Sequence, residues 1–368
     1  MIKKLSYRVM AEELYKPGVI EDIFDAENYR KLRTTLLDAT KEYHYFDSPN
    51  NIALGLSTNG FTLFKRRRRG HSTAWPILII NYNLHPSLRL HLENLICVGV
   101  IPGPRQCKDM NSFLIPLIDE LLELEKGVLS VQVPTNTHAD NFNPDLPGLY
   151  FVLHAFLITL FGDIPAVSKL LCMKGHNAKS RCRICHVQGM LCRLAWNLVY
   201  YVPLTPPGAQ EVPASSLAIC THYSLLAQYN AIEQAPTPVV RQELAQLFGL
   251  NARPVFSRLR SLNLATCAPY NAMHLLFENL VPNMIWHWFG EFKGLDEGTG
   301  NYRISEEHCK VIGELTVKAV QTTPSYFVGT LPDIYKDSSL YKAEVYLYWF
   351  QHLGAVLLKG RLPEKYYQ

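Results

Sequence analysis

Nowhere does this sequence hold the ~18 consecutive apolar residues that a membrane-spanning helix needs. The nearest approach, Tyr150 to Phe161, is too short and contains His154. An apolar leader is also missing: Met1-Ile2-Lys3-Lys4 runs into a mixed polar segment. The expectation is a soluble, non-secreted chain with no membrane partner. Internal repeats and low-complexity tracts are absent, which removes solenoids and biased linkers from consideration. Cysteine is sparse, with 9 in 368 residues, and it clusters only between Cys172 and Cys192. In a non-secreted chain that pattern favours free thiols and a metal site over a disulfide framework. Net charge is small, at +4, and by itself names no partner.

What is present is a large apolar fraction, 48%, enough for a real core with additions around it. Charge is concentrated in one block, Lys65-Arg66-Arg67-Arg68-Arg69, which suits a polyanion; a solvated basic loop is the competing reading. Residues 1–50 read as short helices, one of them starting near Asp25 as cap. Ile52 to Ser57 reads as a buried strand, Asn59-Gly60 as a tight turn, and Phe61 to Phe64 as a second strand. Trp75 to Tyr82 suits a central strand. Between Met110 and Lys126, Phe113, Leu114, Leu117, Ile118, Leu121, Leu122 and Leu124 share a helical face. Tyr150 to Phe161 fits a strand, or else a buried helix. Strand, strand, strand, helix, strand points to a mixed α/β sheet. Residues 166–205 are rich in cysteine and basic groups. Residues 206–368 hold a Pro-rich connector and a helical remainder, with Ser305 as a cap ahead of Glu306 and Glu307.

Several ordered segments carry a resemblance. They are Ala53-Leu54-Gly55-Leu56-Ser57-Thr58-Asn59-Gly60-Phe61, Trp75 to Leu84, Val98 to Pro104, Gly162-Asp163-Ile164-Pro165-Ala166, and Gly175 to Cys185. Together they resemble the CACTA (En/Spm) transposases of plants and fungi, from about residue 5 to the end. The resemblance implies a ribonuclease-H-like core over 51–165, a Cys-rich insertion over 166–205, a mostly helical region beyond, and a nuclear location. It implies DNA as partner, as transposon ends or non-specific duplex, together with the chain itself or a full-length transposase. Its chemistry is that of three carboxylates around two magnesium ions that cut and join DNA.

The resemblance puts the first carboxylate at position 59 and the second at Asp163. Asn59 stands where the family has Asp, and an amide oxygen brings no charge to a metal. Asn-Gly also suits an ordinary turn, and an Asp after a strand is often a helix cap. No segment matches the family's third carboxylate, which is expected beyond the end of this chain. Glu278 is the substitute at hand, four residues after His274; a polar pair on one helix face is the competing reading. Cys182-x-x-Cys185 has zinc-knuckle spacing, with Cys172, His176 and His186 as nearby candidates to complete a zinc site. Three functions compete: an inactive transposase-derived DNA binder, a non-catalytic interaction module, and a nuclease working through Asp163 and Glu278.

Overall fold

The computed structural model describes residues 5–40, 42–66, 70–103, 107–132, 150–192, 199–202, 210, 212–292 and 300–367. The chain divides into two compact units, Met1–Met190 with Val202–Pro269, and Leu191–Tyr201 with Tyr270–Gln368. The fold is mixed α/β. Among the described residues, no helix is long and apolar enough to cross a membrane.

The first unit opens with helices α1 (Tyr7–Glu13) and α2 (Glu27–Arg33) and a two-stranded ribbon, β1 (Leu36–Asp38) with β2 (Tyr43–His44). Asp25 does not cap α2. Its carboxylate accepts from the Glu21 and Asp22 N–H groups, and Ala26 holds the cap position. The main sheet contains β3 (Ile52–Thr58), β4 (Phe61–Arg66), β5 (Gly70–Asn81), β6 (Ile96–Pro102) and β9 (Ala155–Phe161). Helix α3 (Met110–Lys126) comes between β6 and a hairpin of β7 (Val128–Val131) with β8 (Tyr150–Leu153). The apolar run from Tyr150 is thus two strands, interrupted at His154.

Strand β5 is the organiser. It pairs antiparallel with β3, with β4 and with β6, while β3 pairs parallel with β9. Strands β3 and β4 therefore run in the same direction along successive parts of β5, and Asn59-Gly60 does not reverse the chain. A two-residue type I′ hairpin needs positive φ at both central residues. Neither Asn59 nor Gly60 has it. Gly60 is instead a point of close approach, because a Cβ there would run into the Trp75 indole.

Both faces of β3 and β9 are covered, so these strands read as continuous apolar runs. Leu54, Leu56, Leu157 and Leu160 pack with Leu114, Ile118 and Leu121 of α3. Ala53, Phe156 and Ile158 turn the other way, onto Phe24, Tyr29, Tyr45 and Phe46. The alternation along β3, and along β9 with a slip of phase between Leu157 and Thr159, thus feeds two cores. Phe113, on the predicted apolar face of α3, is 50% exposed. The described residues between 5 and 50 close the second face. Their buried Arg8 donates to the Phe46 and Ser48 carbonyls, and the Arg89 guanidinium grips Asp22 bidentately at 3.1 and 2.9 Å.

Beyond β9 come α4 (Ile164–Leu170), α5 (His222–Glu233) and α6 (Pro238–Phe248). The second unit packs α7 (Val281–Phe289), α8 (Glu306–Ala319) and α9 (Ala343–Tyr348) around Ile285, Ile312 and Trp349. Ser305 caps α8, accepting from the His308 N–H, with Glu306 and Glu307 in the first turn. The Trp349 indole N–H donates to Thr316 Oγ1 at 2.9 Å.

Candidate functional site

The parallel pairing of β3 with β9 sets Ser57 opposite Phe161. Asn59 and Asp163 each lie two residues further on, so they stand side by side just past neighbouring strand ends. Gly162 makes this junction tight: a Cβ there would sit 2.7 Å from the Thr58 carbonyl and 2.9 Å from Ala166 Cβ. Asn59 is exposed and Asp163 half-buried. Asp163 is the N-cap of α4, and its Oδ1 accepts from the Ala166 N–H at 2.6 Å. One carboxylate oxygen is thus held by the helix end, where a negative charge is favoured. The Lys169 ammonium lies 4.2 Å from the Trp75 ring centroid; burial lowers its pKa, opposed by the charges of Cys107 and Asp163.

Glu278 belongs to the second unit, on a π-helical segment, Met273–Leu280. It is exposed and lies 3.8 Å from His274 Nε2, so the expected His–Glu pair exists at the surface of the helix. Among the described residues, no group of three or more His, Cys, Asp and Glu side chains is already gathered for a metal ion. Lys65 and Arg66 end β4, and Arg66 pairs with Gly70 of β5. Arg67, Arg68 and Arg69 lie outside the described residues.

The cysteine region gathers a different set from the one its spacing suggested. Cys182 and Cys185 present their sulfurs 3.4 Å apart. His186 and Cys220 face each other, with Nδ1 and Sγ 3.7 Å apart. All four line one cavity of about 230 Å³, with Gln188 and Gln228 beside them. Cys172 turns elsewhere: its thiol donates to Asn111 Oδ1 at 3.5 Å, and burial pushes its pKa up to about 11. His176 is exposed, and its carbonyl accepts from Arg181. Cys220 escaped the sequence reading because it lies within the Pro-rich connector at no recognisable interval from Cys185. The only signal for it was its residue type.

A cavity of about 930 Å³ opens at the other end of β9, among Tyr43, Glu125, His154 and Arg260. Buried Glu125 is spent there on structure, accepting from the Arg260 and Ser261 N–H groups at 3.1 and 3.0 Å.

No curated protein matches the chain. A family model described as transposase family tnp2 matches residues 18–203, just over half of the chain.

Proposed function

Since the chain belongs to the transposase family tnp2, we propose that it is a transposase-derived DNA-binding protein of CACTA type that no longer cuts DNA. The observation that carries this reading is the position of Asn59 and Asp163 on neighbouring parallel strand ends. The order β6-β5-β3-β9, with one parallel pair beside antiparallel ones, is compatible with a ribonuclease-H-like core. In that core the two strand ends hold the first two carboxylates of the triad.

The residues present do not fit a pair of magnesium ions. Hard cations in such sites are held mostly by charged oxygen ligands. Asn59 brings an uncharged amide, and Asp163 has one oxygen bound to the helix end at 2.6 Å. Glu278 sits in the other unit beside His274. What remains is binding: the basic run from Lys65 to Arg69, which begins on the last two residues of β4, would contact phosphates without reading sequence. A nuclear location and partnership with itself or a complete transposase belong to the same proposal.

Two measurements test it. Duplex binding should weaken steeply with salt, and replacing Lys65 to Arg69 with Ala should reduce the log–log salt slope by about 4–5. An unchanged slope would place the DNA contact on another surface, and no binding by the unaltered chain would favour a protein-interaction module. Plasmid and transposon-end duplexes incubated with magnesium or manganese should stay intact with the unaltered chain and with Asn59→Asp. Cutting by the unaltered chain would sink the inactive reading, and robust cutting by Asn59→Asp alone would show a third carboxylate already in place.

A further inference from the structure

We propose that Cys182, Cys185, His186 and Cys220 form a zinc site that fastens the Cys182–His186 loop to the residue preceding the N-cap of helix α5. The site is independent of whether the chain binds DNA. Its fourth member, Cys220, lies beyond residue 203, where the family match ends.

The geometry of the two pairs comes first. Ligand atoms sharing one tetrahedral zinc, with Zn–S near 2.3 Å and Zn–N near 2.0–2.1 Å, stand about 3.5–3.8 Å apart. The Cys182–Cys185 pair at 3.4 Å and the Cys220–His186 pair at 3.7 Å each have nearly the length of one edge of that tetrahedron. Both edges face the same small cavity. They are not drawn around a common point. Thiols that keep their protons hold each other through S–H contacts, and an ion would have to displace those protons to bring the edges together.

The backbone supplies the second observation. The Ile184 and Cys185 N–H groups both point at Cys182 Sγ at 3.4 Å, an arrangement that steadies a sulfur ligand once its proton has gone. A short ladder sets Cys185 against Ile219. In it the His186 N–H donates to the Ala218 carbonyl at 2.9 Å, and the Cys220 N–H donates to the Ile184 carbonyl at 2.7 Å. The loop and Cys220 are therefore brought together by main-chain bonds that need no metal.

Gln228 lies on the wall with its Oε1 buried and without a hydrogen-bond partner, while its Nε2 stands 3.4 Å from His186 Nδ1.

The test begins with the unaltered full chain, purified from zinc-supplemented cells and assayed for metal by mass spectrometry. Stoichiometric zinc is expected. A chelator should expose Cys182, Cys185 and Cys220 together to alkylation, with Cys172 labelling unchanged. Cys220→Ser should weaken zinc binding by more than the ~10–100-fold that outer-shell changes cost, whereas Cys172→Ala and His176→Ala should retain it. Absence of zinc, or chelator-independent labelling of Cys220, overturns the proposal. Zinc retained by Cys220→Ser but lost by Cys172→Ala overturns it equally, in favour of the ligands nearer in sequence. The labelling experiment needs no variant, so a Cys220→Ser chain that fails to fold does not remove the test.

Discussion

The strand-end pair and the cysteine cluster are assembled in opposite ways. Asn59 and Asp163 are about a hundred residues apart, yet the ladder between β3 and β9 sets them together. That ladder is buried on both faces, so the positions persist whatever side chains stand there. Asn59 has the right place and the wrong chemistry. The cysteine cluster has a full complement of soft donors, held by one isolated bridge and a few loop hydrogen bonds. A core protects position and is indifferent to exposed chemistry, whereas a loop cluster depends on its own ligands for its shape. Perturbing each region should therefore give different readouts.

The largest effect is expected at Gly249, the left-handed residue that ends α6. Its φ is +71°, and a Cβ there would overlap the Ser180 carbonyl just before Cys182. Gly249→Ala should cost about 3 kcal/mol in chemical denaturation, adding left-handed strain to overpacking, and should reduce zinc retention. Gly18 has a similar φ of +82° but nothing within 4 Å, so Gly18→Ala should cost only about 1–2 kcal/mol. Equal losses would mean that the contact with Ser180 is unimportant.

Gly162→Ala probes the other region. Its new methyl group would press on the Thr58 carbonyl and Ala166, for a cost of about 1–3 kcal/mol. Zinc content should be unaffected, since the cluster hangs on other bonds. Coupled loss of zinc would break the distinction between the regions.

Asp163 separates capping from metal binding. Asp163→Ala should cost about 1 kcal/mol and Asp163→Asn almost nothing, because Asn caps a helix as well as Asp. Magnesium should not raise the melting temperature of the unaltered chain. A magnesium-dependent rise that Asp163→Asn abolishes would show that the strand ends still hold a cation.

The smallest effect concerns pH at the start of α5. Burial lowers the pKa of His222 below its ordinary 6.5, and its Nδ1 accepts from the Leu264 N–H at 3.2 Å. The unfolded chain therefore takes up the proton first. The contribution is full above about pH 6.5 and is lost as pH falls from there through the lower folded value. With chelator present to exclude metal effects, His222→Gln should flatten the stability profile between about pH 7 and 5. An unchanged profile would assign the acid-side loss to other groups.

By itself the sequence determined the local elements whose pattern and packing agree. Helix α3 spans Met110–Lys126, as its apolar spacing predicts, because a 3.6-residue period matches one buried stripe. The Ser305 cap is equally local, since cap and N–H donor are three residues apart. The apolar run of β3 was legible as a strand, whereas the run containing β9 fitted a strand or a buried helix, because burial on both faces removes the alternation that would tell them apart. Tertiary structure alone decided what those strands pair with. Asn59-Gly60 looks like a hairpin turn, yet the twelve-residue β5 is long enough to receive β3 and β4 one after the other, which removes the need to reverse. In the same way, no interval in the chain links Cys220 to Cys185. Their meeting depends on a ladder of a few main-chain bonds, formed between segments that sequence periodicity does not connect.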